Sequence, residues 1–265
     1  MGVFMKICSW NVNSIRLREL QILRVLKEHC PDVICLQECK APIEKFPTQG
    51  FHNLGYEYMI GRGQKGYNGV AIFSKIPIID EFSIDFADLK HARHIAGHLK
   101  NGFVIHNFYV PAGGDEPNIV KNVKFAQKLA FLDAMKNWFD VNKPKRAILV
   151  GDLNIAPNED DVWDHKKLSK IVSHTPLEIE KLSEVMKSGH WIDVFRKTMP
   201  DGKLYSWWSY RAKDWQLADK GRRLDHIWVS SDLSGLEFKN SIFREARGWE
   251  RPSDHAPIFT VFDET

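Results

Sequence analysis

Long apolar runs are missing from this sequence. None approaches the roughly 18 consecutive apolar residues that a membrane-spanning helix needs. The first ten residues, MGVFMKICSW, carry Lys6 inside what would be the apolar region of a secretory signal peptide. The Met1-Gly2 start is typical of myristoylated proteins, but position 6 is not the Ser or Thr that the motif requires. We therefore expect a cytoplasmic protein that does not act at a membrane.

Cysteine is scarce, with four residues that all lie within the first 39 positions. They form no CxxC pair, and no set of histidines is placed as in a zinc finger. We expect reduced core residues of an intracellular protein at Cys8, Cys30, Cys35 and Cys39.

A strong charge of either sign is also missing, since 37 Lys and Arg residues against 34 Asp and Glu residues give a formal net charge of +3. This mild basic excess is compatible with a polyanionic partner without requiring one. With 43% hydrophobic residues and no internal repeat or low-complexity linker, the chain can bury one large core. We predict a single domain over residues 1–265.

Strand and helix patterns alternate along the chain and predict an α/β fold. Short apolar segments predict strands at 5–10, 33–37, 69–74, 103–109, 147–150, 224–229 and 258–262. Helices are predicted at 14–29, 118–139 and around 176–187, and a loop at 40–66. Ser14 and Asn118 are expected to cap the first two helices. The apolar stripe of the first helix would be Leu17, Leu20, Leu23 and Leu26.

Polar side chains stand where the predicted strands begin or end. In AILVGDLNIAP (147–157), four apolar residues run directly into Gly151, Asp152 and Asn154. Because an unpaired carboxylate is costly to bury, Asp152 needs a partner, a metal or a turn to explain it. Comparable polar stops recur, and the whole set is Asn11, Glu38, Tyr109, Asp152, Asn154, Asp225, Asp254 and His255.

If the last two predicted strands run antiparallel to the others, these side chains share one edge of mixed sheets. Carboxylates, amides and a phenol without thiolates suit Mg²⁺ or Mn²⁺ better than zinc. Beside a histidine they favour phosphate ester hydrolysis, since metal and imidazolium offset developing negative charge while a carboxylate accepts the proton of water. The residues themselves therefore predict a phosphodiester hydrolase.

Each residue also has a purely structural interpretation. Asp152 could belong to a turn, since Gly, Asp and Asn are common turn residues. Asn11 could cap a helix or a turn, and Tyr109 could be a core aromatic whose hydroxyl is hydrogen-bonded. Glu38 could be a surface carboxylate, and His255 is one of 11 histidines. The recurrence of polar residues at strand ends is what favours a functional site.

The segment 203–223 interleaves five aromatic residues with six basic residues. Trp207 and Trp208 are neighbours, and adjacent residues of one strand cannot both point inward. One of them could stack on a nucleic-acid base while Lys and Arg contact phosphates. A role in packing is an equal alternative.

Eight short motifs follow one another over essentially the whole chain. They are ICLQECK (34–40), GYNGVAIFSK (66–75), NFYVPAGG (107–114), LVGDLNIAP (149–157), WIDVFR (191–196), YSWWSYR (205–211), GRRLDHIWVS (221–230) and RPSDHAPI (251–258). In this order they resemble the motifs of the exonuclease III family of apurinic/apyrimidinic endonucleases. The resemblance implies a four-layer α/β sandwich of the DNase I-like type, with two mixed β-sheets packed face to face and helices outside.

The resemblance also implies roles for the polar set. Glu38 would be the principal ligand of Mg²⁺, for which Mn²⁺ could substitute, and Asn11 would lie near it. Asp152 would activate water, Asn154 would orient the water or the phosphate, and His255 would contact the phosphate. Further implied metal ligands are Asp152, Asn154, Asp254 and His255.

Other implied roles concern positioning and DNA. Asp225 would hold His255, and Asp254 would be linked to the metal or to its ligands. Tyr109 would be the family's active-site tyrosine, acting as a phosphate ligand or a proton donor. The side chains expected at the DNA, or at the pocket of a flipped abasic sugar, are Arg93, Trp207, Trp208, Arg211 and Arg223.

Three positions depart from the family pattern. Ala112 stands where members often carry Asn or Gln, so one contact to the phosphate or the DNA would be missing. Asn13 stands where some members carry Asp, so a carboxylate for a second metal position would be missing. Asp219 replaces a common Asn, and we expect little consequence.

The implied function is a metal-dependent DNA repair nuclease that hydrolyses the phosphodiester 5′ to an abasic site and leaves a 3′-hydroxyl. 3′-to-5′ exonuclease activity and trimming of 3′ ends are expected beside it. The expected partner is duplex DNA with abasic sites or 3′ ends, and the expected state is a monomer. The alternatives are a phosphatase or sphingomyelinase-like phosphodiesterase of the same superfamily, and a DNA-binding module without catalysis.

Overall fold

Two six-stranded β-sheets form the centre of the protein in the computed structural model, which describes residues 5–263. The start MGVF lies outside the described residues. The first sheet consists, in spatial order, of β13 (Glu237–Ile242), β14 (Ile258–Asp263), β1 (Met5–Asn11), β2 (Val33–Gln37), β4 (Val70–Ser74) and β3 (Tyr58–Arg62). The second consists of β5 (Ile78–Phe82), β6 (His94–Leu99), β7 (Val104–Tyr109), β8 (Ala147–Asp152), β12 (Asp225–Ser230) and β9 (Trp191–Asp193).

Helices and a small ribbon complete the described part of the chain. The helices are α1 (Glu19–His29), α2 (Gln49–His52), α3 (Val123–Asn142), α4 (His165–Leu168), α5 (Pro176–Ser188), α6 (Val194–Thr198) and α7 (Trp215–Ala218). The ribbon pairs β10 (Trp207–Trp208) with β11 (Gly221–Arg222). Between residues 5 and 263, no helix combines the length and the apolar character needed to cross a membrane.

Both sheets are mixed, as the sequence predicts. β1 and β2 run parallel, and so do β7 and β8. β14 pairs antiparallel with β1, and β12 pairs antiparallel with β8. Helix α1 packs on the outer face of the first sheet, whereas α3 and α5 pack on the outer face of the second. The predicted four-layer α/β sandwich is confirmed.

The main core lies between the two sheets. Ile7 of the first sheet and Ile148 and Val150 of the second belong to one buried cluster. Ala147 and Leu149 alternate with them along β8 and face the helices on the outer side. A strand that is covered on both faces therefore appears in the sequence as an unbroken apolar run.

The first helix is shorter than predicted and buries a different face. It begins at Glu19 because Ser14 has a φ of 104° and residues 15–18 form a turn. Leu20, predicted to be buried, is 82% exposed. The buried side chains of α1 are Ile22, Val25 and Leu26. Leucines spaced by three residues drift by about 60° per step around a helix of 3.6 residues per turn, so four of them cannot share one face.

The long helix α3 begins at Val123, later than predicted. Its N-cap is Asn122, whose side chain accepts hydrogen bonds from two backbone N–H groups of the first turn. Asn118, the predicted cap, instead closes the preceding turn by accepting from the N–H of Lys121 at 3.0 Å. The sequence pattern identified an Asn cap but assigned it to the wrong Asn, because both residues precede apolar positions.

Seven strands have no counterpart among the predicted ones, namely β3, β5, β6, β9, β10, β11 and β13. β3 and α2 lie in the segment 40–66, which was wrongly predicted to be a loop. β3, β5 and β13 are edge strands, and most of their side chains are partly or fully exposed. Because edge strands carry fewer apolar residues, the periodic signal is weak there.

The cysteines are free, and three of the four are buried as predicted. Cys30 is exposed, so its assignment to the core was wrong. It follows the last residue of α1 in the left-handed conformation, with a φ of 46°, and a helix C-cap commonly lies at the surface.

Candidate active site

The carboxyl ends of the parallel strands meet the beginnings of antiparallel strands at one edge of the sandwich. In the second sheet, the register aligns Asp152 with Tyr109 on one side and with Asp225 on the other. In the first sheet, Asn11 ends β1 and Glu38 follows β2. The two sheets meet where Asn11 Nδ2 donates to Asp152 Oδ2 at 2.8 Å. The predicted polar edge is therefore formed.

Two backbone features fix the end of β8. Gly151 has a φ of 139°, and a Cβ there would lie 1.9 Å from the carbonyl oxygen of Phe108, so glycine is required. Asn154 has a φ of 54°, and its N–H donates to Asp152 Oδ1 at 2.9 Å. Its side-chain amide donates to Asp152 Oδ2 at 3.1 Å and to the Val110 carbonyl at 2.9 Å. The sequence GDLN does form a turn, and this turn holds the Asp152 carboxylate in place.

Glu38 is bound by three neighbours. Tyr109 donates its hydroxyl to Oε1 at 2.6 Å, and Asn11 donates its amide to the same oxygen at 3.1 Å. The Lys40 ammonium lies 2.8 Å from Oε2. Burial alone would raise the pKa of Glu38, but the charge and hydrogen bonds of its partners, Lys40 first, lower it. Burial and the Glu38 carboxylate raise the pKa of Tyr109, which keeps the phenol protonated.

His255 lies between two carboxylates. Its Nδ1 is 2.7 Å from Asp225 Oδ2, its Nε2 is 3.7 Å from Asp152 Oδ2, and all three side chains are buried. Burial alone would lower the pKa of the imidazole, but the two carboxylates raise it to about 10. Burial raises the pKa of Asp152 to about 7 although the imidazolium opposes it. Such a pKa suits a group that accepts a proton near neutral pH.

Two serines that the sequence analysis did not assign hold this group together. Ser206 Oγ donates to Asp225 Oδ2 at 2.6 Å and accepts from the backbone N–H of the same residue at 3.1 Å. Ser253 Oγ donates to the carbonyl of Asn11 at 2.6 Å and accepts from the N–H of His255 at 3.2 Å. No spacing rule marks a serine for such a role, because Ser206 and Asp225 are 19 residues apart and Ser253 and Asn11 are 242 residues apart.

Asp254 lies beside this group. Its Oδ2 accepts a hydrogen bond from Trp207 Nε1 at 2.9 Å, and its Oδ1 accepts one from the amide of Asn13 at 3.3 Å. Asn13 in turn accepts a hydrogen bond from the ammonium of Lys40. The neutral amide therefore connects Asp254 to the Glu38 side of the site.

Two sets of side chains could hold a divalent cation. In the first, the Glu38 carboxylate lies beside Asn11, and the Lys40 ammonium at Oε2 shows that this oxygen attracts a cation. The second set offers one ligand atom each from Asp152, Asp225 and His255, all within 4.8 Å of one another. In this second set, His255 Nδ1 and Asp225 Oδ2 are already hydrogen-bonded to each other at 2.7 Å. The first set offers only oxygen ligands, which a hard cation prefers to the imidazole nitrogen of the second.

Three of the predicted DNA-binding side chains are accessible. Arg211 is exposed and Trp207 partly exposed, and both line a cleft of about 920 Å³ that adjoins the site through the hydrogen bond between Trp207 and Asp254. Arg93 is partly exposed, and its guanidinium lies 4.7 Å from the ring centroid of Tyr109. These positions are compatible with the predicted contacts.

The other two are buried, and the prediction that they contact DNA directly is wrong. Trp208 is 1% exposed and donates its Nε1 to Asp219 Oδ1 at 2.9 Å. Arg223 is 1% exposed and pairs with Asp161 and Asp193, each at 2.7 Å. Neighbouring residues of an extended segment face opposite sides, so one of two adjacent Trp or Arg side chains must point inward.

Comparison with known sequences identifies the family. A sequence model described as Endonuclease/Exonuclease/phosphatase family matches residues 8–255. Exodeoxyribonuclease III of Haemophilus influenzae is 32% identical over 276 aligned residues, which cover 97% of this chain and 100% of that protein. The exodeoxyribonuclease of Bacillus subtilis is 31% identical, covering 98% of this chain and 100% of that protein.

Solved structures are similar over the same extent. An AP endonuclease from Archaeoglobus fulgidus superposes with a TM-score of 0.91 and 33% identity, covering 98% of this chain and 100% of that one. A 3′ phosphatase from Neisseria, bound to product DNA hairpin, has a TM-score of 0.89 and 32% identity with the same coverage. The chain belongs to the endonuclease/exonuclease/phosphatase family and has its DNase I-like fold. Within that family it is a hydrolytic DNA repair nuclease of the exonuclease III type.

Proposed function

We propose that the protein hydrolyses the phosphodiester 5′ to an abasic site in duplex DNA and leaves a 3′-hydroxyl. The position of Asp152 carries this proposal. Its buried carboxylate lies 3.7 Å from the His255 imidazole. The amides of Asn11 and Asn154 both donate to it. A proton acceptor thus lies beside a fixed positive charge, which is the arrangement that activates water next to a phosphate.

Neutral and cationic donors would receive the phosphate. Asp225 engages Nδ1 of His255, so the other ring nitrogen is the one directed at the reacting group. Tyr109 stays protonated and can transfer its hydrogen bond from Glu38 to a phosphate oxygen or to the leaving 3′-oxygen. Arg93, stacked on the Tyr109 ring, is proposed to contact a flanking phosphate.

A divalent cation, Mg²⁺ with Mn²⁺ as a substitute, would supply Lewis acidity at the leaving oxygen and offset the charge of the phosphate. Glu38 and Asn11 are the residues proposed to hold it. Glu38 fits this role because its partners lower its pKa, which keeps it ionised at neutral pH. Asn11 also donates to Asp152, so the proposed ligands and the proposed base are fixed relative to each other.

Duplex DNA is the proposed partner. Arg211, Lys213 and Lys220 line the cleft beside Trp207, so cations and an aromatic ring face the same space. The similar Neisseria protein is a 3′ phosphatase bound to a DNA hairpin, which supports trimming of 3′ ends as a further activity. We propose that a monomer suffices, since a single chain supplies every residue of the proposed site.

A single labelled duplex that carries an abasic site, a recessed 3′ end and a 3′-phosphate tests the proposal. In Mg²⁺ we expect a cut 5′ to the abasic site with a 3′-hydroxyl product. Chelation with EDTA or Glu38→Ala should abolish the cut. Glu180→Ala, an exposed position on α5, is the matched control and should leave cleavage unchanged.

Three outcomes would contradict parts of the proposal. Unchanged cleavage in EDTA would remove the metal from it. Turnover of inositol phosphate without cleavage of abasic DNA would favour the phosphatase alternative. Binding of abasic DNA without any cleavage in Mg²⁺ would favour a binding module.

A further inference from the structure

Three consecutive carbonyl groups in the loop after β8 are each held by a buried side chain. The pairs are Lys128 Nζ with Asn154 O at 2.8 Å, His226 Nε2 with Ile155 O at 2.8 Å and His174 Nδ1 with Ala156 O at 2.6 Å. None of the three side chains takes part in the chemistry proposed above. The loop that carries Asn154 is therefore fixed along its backbone from the protein interior.

Lys128, on α3, also supports the loop after β7. Its Nζ lies 3.3 Å from the carbonyl oxygen of Ala112. Its stem packs beneath Gly113, where an added Cβ would lie 2.9 Å from Cδ of Lys128. Ala112 has no polar side chain, so it cannot anchor this loop by a side-chain hydrogen bond of its own. A single side chain thus sets both loops that border the Asp152 carboxylate.

The ammonium of Lys128 is itself held in place by Glu178 of α5, at 2.5 Å, and both side chains are fully buried. Glu178 also accepts from the N–H of Ser173 at 2.9 Å and from the hydroxyl of Thr175 at 2.7 Å. A buried ion pair adds little net stability, because desolvation offsets the attraction, and an apolar pair of similar volume could fill the same space. An apolar pair could not donate to Asn154 and Ala112.

We propose that Lys128 is a positioning residue of the nuclease, which sets the Asn154 loop against the Ala112 loop and acts on the reaction through Asn154. This inference rests on the proposed function, since it requires Asp152 and Asn154 at the reacting phosphate. Both the N–H and the side-chain amide of Asn154 donate to Asp152. A displaced loop would therefore loosen two of the contacts that orient the proposed base.

A double-mutant cycle in single-turnover cleavage of an abasic duplex tests the inference. The reference is Glu178→Gln, which removes the paired charge but leaves the amino group of Lys128. Adding Lys128→Met gives K128M/E178Q, which removes both charges of the buried ion pair. We expect its rate at saturating DNA to fall at least about tenfold below that of E178Q, with DNA affinity unchanged within about twofold. In an Asn154→Ala background only the backbone N–H still donates to Asp152, so Lys128→Met should lower the rate by clearly less than it does when the Asn154 side chain is present.

Two further variants separate positioning from stability. Leu132 lies on the same helix, is fully buried and has no side-chain donor for either loop, so Leu132→Ala should lower the melting temperature without lowering the rate. Lys128→Gln in the E178Q background keeps a shorter donor and should restore part of the rate. It also serves as the test variant if K128M/E178Q does not fold.

The inference would be overturned by equal losses with and without the Asn154 side chain, by an unchanged rate in a folded K128M/E178Q, or by the same loss in Leu132→Ala. An absence of cleavage by the wild-type protein would refute the proposed function and this inference with it. If the wild-type protein cleaves abasic DNA but the rate losses caused by Lys128→Met and Asn154→Ala are additive, only this inference is refuted.

Discussion

Asp225→Asn tests the electrostatics that link His255 to the site. The change removes a carboxylate 2.7 Å from Nδ1 and replaces it with an amide of nearly the same shape. The neighbouring carboxylates, Asp225 first, raise the pKa of His255 from 6.5 to about 10 against the effect of burial. At about 1.4 kcal/mol per pKa unit, this corresponds to on the order of 5 kcal/mol, and burial of both groups leaves little solvent screening. We expect the pKa of His255 to fall well below its wild-type value in the variant, because the largest of the raising effects is removed.

An NMR titration of the imidazole, assigned with His255→Gln, measures this pKa. Because the folded-state pKa lies above the unfolded one, the stabilisation is fully present below pH 6.5 and is lost as the pH rises towards 10. The difference in unfolding free energy between wild type and Asp225→Asn should shrink over the same range. Ser206→Ala, which removes only a hydroxyl bonded to Asp225, is the control and should keep most of the raised pKa. An unchanged pKa of His255 in Asp225→Asn would refute this reasoning.

Two other changes address the scaffold of the site. Gly151→Ala places a Cβ 1.9 Å from a backbone carbonyl oxygen and should strongly lower the melting temperature. Gly102→Ala is the control, because Gly102 shares a positive φ but lies in an exposed turn, and it should lower the melting temperature far less. Equal losses of melting temperature in the two variants would contradict the steric argument. Arg223→Met leaves the buried carboxylates of Asp161 and Asp193 without their main partner. It should lower the free energy of unfolding, measured in urea, by about 3–5 kcal/mol. An unchanged urea midpoint would show that this network adds nothing to stability.

The buried strands and their polar ends could be predicted because burial on both faces leaves a direct mark on the sequence. In β8 an unbroken apolar run stops abruptly at Gly151 and Asp152, and both the strand and the site residue are where this pattern places them. In β5 and β13 one face or more is open to solvent, so the same physics leaves no comparable run.

Side-chain orientation within the polar segments could not be predicted. Arg211 and Arg223 occur in the same aromatic and basic stretch, yet one is exposed and the other is enclosed by two carboxylates distant in sequence. Lys128 lies inside the long helix α3, where a lysine is ordinarily solvated, and its burial is explained by contacts with Glu178 of another helix and with the carbonyl groups of Asn154 and Ala112. Such roles depend on tertiary contacts that no local pattern encodes.

The single-turnover rate of Asp152→Asn on an abasic duplex tests most directly the central claim, that the buried carboxylate of Asp152 accepts the proton of the attacking water. Asparagine keeps the size of the side chain but cannot take up that proton. We predict a rate at least about 100-fold below wild type, with DNA affinity, measured by fluorescence anisotropy, unchanged within a few-fold. A rate within about tenfold of wild type, in a folded variant that binds DNA normally, would contradict the claim.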